Sequence, residues 1–219
     1  MQGKKVNILI ADDHTLFRKG LAMMVSEFDN CYVTKDFNDG KETLNYLKTN
    51  SADIVLLDLD MPVMNGFETA KKIIAYHPNC YIIIISMNDS LETIAELIEI
   101  GVHSYLLKNA EPNEVKRAIT SVINNDFYYN QLVSRALRQN IQKSLVLEPK
   151  TNDKSNLTKR EIEVLQLICQ ELNVKEISEQ LFLSEQTVLT HRKHLMKKVQ
   201  AKNAVSLVRF AIQNKIVSF

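Results

Sequence analysis

Residues 6–127 alternate between short apolar runs and longer amphipathic stretches. The apolar runs predict β-strands, and the amphipathic stretches carry apolar residues at helical spacing. Two runs are almost continuously apolar, which is typical of strands that helices cover on both faces. The alternation therefore predicts an α/β fold with a doubly wound, five-stranded parallel sheet. The predicted strands are 6–11, 31–37, 53–58, 80–86 and 103–107, and the predicted helices are 14–28, 39–49, 64–76, 90–100 and 111–125.

Two of these helices have recognisable starts. Asp89 followed by Glu92 predicts an acidic cap pair for the helix near residue 90. Pro112 suits a first helical position, because its missing N–H would have no partner within the helix.

The pattern changes after residue 127. Residues 131–145 have the spacing of a short amphipathic helix, and the polar stretch 147–156 is typical of a linker. From residue 157 onward all segments have helical periodicity. The chain is therefore predicted to contain a domain over 1–127, a linker with this short helix over 128–154, and an all-α, four-helix domain over 155–219.

Cap signals mark the helices of the second domain. Thr158 and Glu161 have the spacing of a capping box, and a second helix opens at Asn173. Ser184 is predicted to cap the third helix. The fourth helix is predicted over about 203–215.

The formal net charge of +1 conceals a difference between the two halves of the chain. Residues 1–130 contain 12 Lys+Arg and 18 Asp+Glu, a net charge of −6. Residues 131–219 contain 15 and 8, a net charge of +7. This difference favours separate partners for the two halves, with the basic half facing a polyanion.

Cysteine usage and hydropathy indicate a cytoplasmic protein. The cysteines Cys31, Cys80 and Cys169 are far apart and form no CxxC motif, which fits reduced thiols. The longest apolar run, 80–85, is too short to span a bilayer, so no membrane partner is expected.

Polar residues stand at the ends of four predicted strands. Asp12 and Asp13 follow the first, Asp58 and Ser86 close the third and fourth, and Lys108 follows the fifth. The carboxyl ends of parallel strands meet at one edge of the sheet, where ligands bind. The sequence therefore predicts one pocket that contains three carboxylates, a hydroxyl and an ammonium group.

Three crowded carboxylates repel one another unless a cation lies between them, and carboxylate oxygens suit Mg²⁺. Such a cation would also offset the repulsion between Asp58 and an incoming phosphoryl donor. Asp58 is then a candidate nucleophile that becomes an aspartyl phosphate, with Lys108 and Ser86 bound to phosphoryl oxygens. A calcium loop fits less well, because Pro62 stands at its fifth position.

The segments ILIADDHTLFRKG, VLLDLDMPVMNGFE, IIIISM and GVHSYLLKNAEPNEV resemble the receiver domain of bacterial two-component response regulators, a flavodoxin-like fold. The resemblance covers about residues 5–127. It implies that Asp58 is the phosphoacceptor. It also implies that Asp13, Asp58 and the backbone carbonyl of Asp60 bind Mg²⁺ directly, and that Asp12 binds it through water.

The same resemblance implies a switch pair. The Ser86 hydroxyl would move toward the phosphoryl group while the Tyr105 ring turns inward. Pro62 and Gly66 fit the tight loop after the third strand. The side chain of Asp60, near the mouth of the pocket, would either alter hydrolysis of the phosphoryl group or be solvated, and we expect it to be solvated.

A helical wheel separates the helix after Ser184 into two faces. Val188, Leu195 and Val199 fall on an apolar side. The opposite side is polar and basic, and as the second helix of a helix-turn-helix it would enter the major groove of DNA. This side consists of Gln186, Thr190, Lys193 and Lys197, with Leu189 on its flank.

The stretch LTKREIEVLQLICQELNVKEISEQLFLSEQTVLTHRKHLMKKV resembles the LuxR-type DNA-binding domain. With the receiver resemblance, it identifies the chain as a member of the NarL/FixJ class of response regulators. The family commonly has Lys where Leu189 stands, and Leu could instead touch a thymine methyl group. Lys197 is a predicted phosphate contact. The full predicted set of DNA contacts is Gln186, Thr187, Leu189, Thr190, Lys193 and Lys197.

The sequence thus predicts a phosphorylation-controlled, sequence-specific transcription regulator rather than a turnover enzyme. A cognate histidine kinase would supply the phosphoryl group, and a homodimer would bind paired half-sites on double-stranded DNA.

Two alternative functions fit the sequence less well. A phosphoryl-relay or phosphate-sink protein would use its helical domain to bind protein, against which the basic helix face argues. A Mg²⁺ phosphatase needs a second acid two residues after its nucleophile, and Asp60 meets this requirement. Such an enzyme also has a cap domain, and none follows in this sequence.

Overall fold

A computed structural model of the chain describes residues 5–147, 157–170, 172, 174–201 and 204–217. The chain forms two compact units, Met1–Ser134 and Arg135–Phe219. The first is a parallel α/β unit and the second is helical, so the predicted fold class is confirmed. No helix among the described residues has the length and apolar content needed to cross a membrane.

The sheet of the first unit has five parallel strands in the order β2-β1-β3-β4-β5. The predicted strands are all present, and the last three begin one residue later than expected. Their bounds are β1 (Val6–Ala11), β2 (Cys31–Phe37), β3 (Ile54–Leu57), β4 (Tyr81–Ser86) and β5 (Ser104–Leu107).

Five helices connect or follow these strands. They are α1 (Thr15–Ser26), α2 (Gly40–Leu47), α3 (Gly66–Tyr76), α4 (Leu91–Ile100) and α5 (Pro112–Asn125). Each overlaps a helix predicted from the apolar periodicity.

The cap of α4 differs from the prediction. Ser90, not Asp89, is the N-cap residue, and its hydroxyl accepts a hydrogen bond from the Thr93 N–H at 3.4 Å. The side-chain oxygen of Asn88 accepts a hydrogen bond from the Ser90 N–H at 2.8 Å and fixes the turn before the helix. The helix therefore begins one residue later than a cap at Asp89 would imply. Helix α5 begins at Pro112, as predicted.

Both faces of the sheet are buried, as the continuous apolar runs predict. On one face, alternate residues of the central strands pack with the apolar faces of α1 and α5. Each fully buried isoleucine or leucine contributes roughly 1.5–3 kcal/mol relative to an exposed one. The residues on this face are Ile8, Ile10, Ile54, Leu56, Ile83 and Ile85, and the residues Leu9, Val55, Ile82 and Ile84 of the other face are equally buried.

A sixth helix, α6 (Gln131–Leu147), occupies the segment for which the sequence predicts a short helix. Its start is capped by Asn130, whose side-chain oxygen accepts from the Val133 N–H at 3.0 Å. The Asn130 amide group also donates to Glu114 at 2.8 Å and to the Tyr105 carbonyl at 3.4 Å. Residues 148–156, which hold nearly all of the polar stretch 147–156, lie outside the described residues.

The second unit contains α7 (Lys159–Cys169), α8 (Val174–Leu181), α9 (Glu185–Lys198) and α10 (Ala204–Gln213). The predicted capping box of Thr158 and Glu161 is present at the start of α7. Ser184 caps α9, as predicted, by accepting from the Thr187 N–H at 3.1 Å. The predicted opening at Asn173 lies outside the described residues. The buried core residues are Val164, Leu165, Leu167, Ile168, Cys169, Val174, Ile177, Val188, Leu195, Leu207, Phe210 and Ala211.

One histidine of the first unit gives a stability prediction. His103 precedes β5, and its Nδ1 accepts a hydrogen bond from the Ile82 N–H at 3.1 Å. Burial lowers the pKa of His103 to about 4. The unfolded chain, whose histidine pKa is near its ordinary value of about 6.5, therefore binds more protons than the folded chain between these two pH values. Stability is present above pH 6.5 and falls as the pH decreases toward 4.

Replacing His103 by Asn keeps a side-chain acceptor and removes this titration. Between pH 7 and 5, we expect wild type to lose roughly 1–2 kcal/mol more stability than His103→Asn. Urea unfolding of both proteins at each pH measures the difference. The exposed His194 of the second unit provides the control, because His194→Asn makes the same substitution and leaves the first unit and its His103 unchanged. Equal slopes for wild type and His103→Asn would contradict the prediction.

Candidate functional site

The predicted pocket is present at the carboxyl edge of the sheet. Asp12 follows β1, Asp58 follows β3, Ser86 ends β4 and Lys108 follows β5. The Lys108 Nζ lies 2.8 Å from Asp12 Oδ2 and 2.8 Å from Asp58 Oδ2. One ammonium group therefore joins two carboxylates from different strands.

Backbone hydrogen bonds fix these positions. The Asp58 N–H donates to the Ala11 carbonyl at 2.8 Å, and the Lys108 N–H donates to the Ser86 carbonyl at 2.9 Å. Both bonds extend a strand pairing by one residue beyond the strand end. The pocket residues are thus held by the sheet itself rather than by a separate loop structure.

Burial makes the charges of the pocket strongly interdependent. The side chains of Asp12, Asp58 and Lys108 are only 3%, 2% and 7% exposed. Burial raises the pKa of Asp58, and repulsion from Asp12 adds to this effect while Lys108 opposes it. Burial alone would lower the pKa of Lys108, but the hydrogen bonds and charges of the two carboxylates outweigh it and raise the pKa above its ordinary value.

Four side chains near this point could offer ligands to a cation. The ligand atoms of Asp12, Asp13, His14 and Asp58 all lie within 4.8 Å of one another. His14 Nδ1 lies 2.8 Å from Asp13 Oδ1. A donor set rich in carboxylate oxygens fits Mg²⁺, which takes oxygen ligands and keeps several waters.

The loop after β3 folds tightly onto the Asp58 backbone. A Cβ atom on Gly66 would lie 2.0 Å from the Asp58 carbonyl oxygen, so only glycine permits this approach. The Gly66 N–H donates to the Leu59 carbonyl at 2.9 Å and closes the loop. The side chain of Asp60, two residues after Asp58, is exposed. The predicted role of its backbone carbonyl as a metal ligand stays a prediction.

A three-residue turn forms the tip of this loop. The Met64 N–H donates to the Pro62 carbonyl at 2.6 Å, and Val63 between them has a φ of 64°. Positive φ is unfavourable for a β-branched residue and is typical of a γ-turn that the surrounding structure enforces. The tight loop predicted from Pro62 and Gly66 is therefore present.

Ser86 and Tyr105 lie together, with the tyrosine ring turned inward and fully buried. The Tyr105 hydroxyl donates to the Asn88 carbonyl at 2.5 Å. The Ser86 hydroxyl in turn accepts from the Asn88 N–H at 3.2 Å. Burial raises the pKa of Tyr105 to about 12. These bonds connect β5 with the loop that follows β4.

Sequence reasoning missed two residues that contact the acid pair. His14 lies beside the carboxylates, and the buried Arg18 donates through Nη1 to the Asp12 carbonyl. A signal for Arg18 exists in the sequence, because it shares the apolar face of α1 with Leu21 and Val25. A charged residue at such a position requires a buried partner.

The second candidate site is the outer face of α9. Its predicted inner residues Val188 and Leu195 are fully buried, and Val199 packs against the same core. The side chains of Gln186, Thr190, Lys193 and Lys197 are exposed, as the helical wheel predicts.

Three of the predicted DNA contacts have additional local interactions. The Thr187 hydroxyl lies 2.8 Å from the Ser184 hydroxyl, within the cap of α9. The Thr190 hydroxyl donates to the Gln186 carbonyl at 2.9 Å. Leu189 is partly buried and packs against the helical core, so only part of its surface faces outward.

An ion pair anchors the far end of α9. Lys198 Nζ lies 2.8 Å from Oε2 of Glu161, the residue that also closes the capping box of α7. Burial raises the pKa of Glu161, but hydrogen bonds from Lys198 and Thr158 outweigh it and hold the pKa below its usual range. This contact orients α9 on α7, and it was not predicted because the pair is separated by 37 positions.

Comparison with known families agrees with these two sites. The model of the response regulator receiver domain matches residues 8–120, about half of the chain. The model of bacterial regulatory proteins of the luxR family matches residues 155–211. The two matches cover the acidic pocket and the α9 face respectively.

Relatives match over the whole chain. The oxygen regulatory protein NreC of Staphylococcus carnosus is 32% identical over 217 residues, 98% of this chain and 100% of the relative. A nitrate/nitrite response regulator protein homolog of Haemophilus influenzae is 32% identical, with 96% and 99% covered.

A solved structure has the same fold. The structure of two RcsB dimers bound to two parallel DNAs matches with a TM-score of 0.58 at 24% identity, covering 96% of this chain and 99% of the other. With an acidic receiver pocket in one unit and a luxR-family helix face in the other, this chain belongs to the NarL/FixJ class of two-component response regulators and is a DNA-binding transcription regulator.

Proposed function

We propose that Asp58 accepts a phosphoryl group from a cognate histidine kinase and that this modification controls binding of the second unit to promoter DNA. The observation that supports this most is the pair of contacts from Lys108 to Asp12 and Asp58, each of 2.8 Å. They place a nucleophilic carboxylate beside a fixed positive charge at the edge of the sheet. Such an arrangement stabilises negative charge that develops on a transferring group.

In this proposal, an Asp58 oxygen attacks the phosphorus of a phosphohistidine. A P–O bond forms while the P–N bond breaks, and the bonding pair stays on the departing imidazole, which takes a proton from solvent. Lys108 keeps its ammonium charge beside the new acyl phosphate and binds one phosphoryl oxygen. The Ser86 hydroxyl, which accepts a hydrogen bond from the Asn88 N–H, would bind another.

Asp12, Asp13 and Asp58 would hold Mg²⁺, with the Asp60 carbonyl as a further ligand. When bound, this ion neutralises charge on the carboxylates and on the transferring phosphoryl group. The chain's own residues position the acceptor and leave the incoming donor a route over the exposed Asp13 side. The reaction modifies the protein itself once, so we propose no turnover on an external substrate.

For the second unit, we propose that α9 reads the major groove from its exposed outer face. RcsB binds DNA as dimers, and we propose a homodimer of this chain on paired half-sites after phosphorylation. Lys197 would contact a phosphate, while Lys193 and Thr190 would reach base edges. Because such a regulator must reach chromosomal promoters, we propose that it acts in the cytoplasm.

The phosphoacceptor proposal predicts a single modified residue. Acetyl phosphate or phosphoramidate with Mg²⁺ should add one acid-labile phosphoryl group to the wild-type chain, as measured by intact-mass spectrometry. Asp58→Asn should abolish the addition because the nucleophile is lost. Asp89→Asn is the matched control, since it makes the same substitution at an exposed acid that the scheme does not use and should keep the label. Stoichiometric labelling of Asp58→Asn would rule out Asp58 as the phosphoacceptor.

The DNA proposal predicts different effects for two lysines of α9. On the operator, Lys193→Ala should cost about 1–3 kcal/mol, and clearly less on a scrambled duplex. Lys197→Ala should weaken both duplexes alike and reduce the slope of log K against log salt by roughly one unit. Leu189→Lys should raise non-specific affinity because it adds positive charge to the flank of this face. Binding titrations of full-length protein at several salt concentrations measure all three effects.

The exposed Lys159 at the start of α7 provides the charge control for these titrations. Lys159→Ala makes the same charge change away from the outer face of α9 and should alter neither affinity nor slope. Equal losses on operator and scrambled DNA for Lys193→Ala would make Lys193 a phosphate contact. An unchanged salt slope for Lys197→Ala would place that side chain in solvent.

A further inference from the structure

Arg18 is a buried cation that the phosphoryl chemistry described above does not use. It lies on α1 among apolar residues, and its side chain is only 7% exposed. Its Nε donates to Asp36 Oδ2 at 2.6 Å, and its Nη1 donates to the backbone carbonyl of Asp12. A single guanidinium group therefore connects the end of β2 with the first residue of the acid pair.

The Asp12 carbonyl requires such a donor because β1 ends at Ala11. The Asp12 N–H donates to the Phe37 carbonyl at 3.1 Å, which continues the pairing with β2 by one residue. The carbonyl on the other side of the residue points to Arg18 instead. The peptide unit between Asp12 and Asp13 is thus held by Arg18 at its oxygen.

The orientation of this peptide determines where the two neighbouring carboxylates point. The Asp12 side chain accepts from the His14 N–H at 2.7 Å through Oδ1 and pairs with Lys108 through Oδ2. Asp13 lies on the other side of the same peptide unit, and its side chain is 35% exposed. If the peptide rotated, both carboxylates would change direction together.

Asp36 keeps Arg18 in place. It binds Arg18 through one oxygen, and its other oxygen lies 3.0 Å from the Nζ of Lys19. Burial raises the pKa of Asp36, but the two cations outweigh it and hold the pKa below its usual range. Arg18 is thus paired with a carboxylate outside the pocket and adds little net positive charge to the pocket itself.

We propose that Arg18, fixed by Asp36, is a positioning residue for the divalent-cation site, because it holds the Asp12–Asp13 peptide in the orientation that directs both carboxylates toward Mg²⁺. The inference rests on the proposed Mg²⁺ site. Arg18 touches neither the cation nor the phosphoryl group in this scheme. Its effect is therefore on the affinity for Mg²⁺, through the geometry of the ligands. Residues that orient metal ligands in this way typically change metal affinity by about 10–100-fold when they are removed.

The experiment is a calorimetric titration of the full-length chain with Mg²⁺ alone, with no phosphoryl donor present. Arg18→Met keeps the bulk of the side chain but removes both hydrogen bonds, and should weaken Mg²⁺ binding by about 10-fold or more. Arg18→Lys keeps a charge for Asp36 but cannot bridge both acceptors with a fork of N–H groups. It should also weaken binding, by a smaller factor. Lys19→Ala removes the neighbouring exposed cation from the same Asp36 and should keep the wild-type affinity.

Urea unfolding of each variant separates positioning from simple stability. A purely structural Arg18 would lower the unfolding midpoint and leave the Mg²⁺ affinity of the folded fraction unchanged. Should Arg18→Met fail to fold, Arg18→Lys alone decides the question. Wild-type affinity in every Arg18 variant that folds would overturn the positioning role.

The metal site itself is tested by Asp13→Asn, which should abolish the Mg²⁺ binding that wild type displays. If wild type binds no Mg²⁺, or if Asp13→Asn binds it equally well, the proposed cation site is wrong and the positioning role falls with it. If these two behave as expected while both Arg18 variants bind like wild type, only the role of Arg18 is wrong.

Discussion

The first unit depends on one electrostatic constraint, which is the burial of like charges at the edge of the sheet. Asp12 and Asp58 are almost completely buried and lie close enough to share one ammonium group. Two such carboxylates destabilise the fold unless a cation compensates them, since an unpaired buried charge costs several kcal/mol. Lys108 supplies that compensation, and its own pKa is raised by the same contacts. A cation or phosphoryl group that enters the site therefore changes the balance between the repulsion of Asp12 and Asp58 and their attraction to Lys108.

The parallel sheet makes this arrangement possible. The parallel strands end at one edge of the sheet. The hydrogen bond from the Asp58 N–H to the Ala11 carbonyl fixes the position of Asp58 along the strand direction relative to Asp12. Gly66 allows the following loop to approach the Asp58 backbone, where a side chain would collide. Ser86 on β4 and Tyr105 on β5 are each hydrogen-bonded to the backbone of Asn88. A chemical change at Asp58 would therefore act near a group of hydrogen-bonded residues, Ser86, Asn88 and Tyr105, that extends to β5.

Strand β5 is also linked to the start of α6. The Asn130 side chain binds the Tyr105 carbonyl, the Glu114 carboxylate and the first turn of α6 at once. The start of this helix is therefore fixed within the first unit by a residue that contacts the strand of the switch tyrosine. In the second unit, the corresponding anchor is the pair of Lys198 and Glu161, which fixes the end of α9 on α7.

Much of the fold and the pocket follows from the sequence, for identifiable reasons. Buried strands such as β3 and β4 are continuous apolar runs, and the residue after each run is placed at one edge by topology alone, which brings Asp12, Asp58 and Lys108 together. The prediction of Asp89 as a cap residue of α4 was wrong. The Asn88 side chain accepts from the Ser90 N–H, and Ser90 is the N-cap residue instead. Arg18 and Lys198 could not be assigned roles, because their partners are set by tertiary packing and not by local spacing. For the same reason the partial burial of Leu189 was not predicted.

The central claim is that modification of Asp58 controls occupancy of promoter DNA, and genomic footprinting in cells tests it most directly. Wild type, Asp58→Asn and the exposed-acid control Asp89→Asn would be compared at equal protein levels under a condition that activates the kinase. Protected sites that are present with wild type and Asp89→Asn should be lost or strongly weakened with Asp58→Asn. Identical footprints for all three proteins would contradict it, because the second unit would then bind its sites without regard to the state of Asp58.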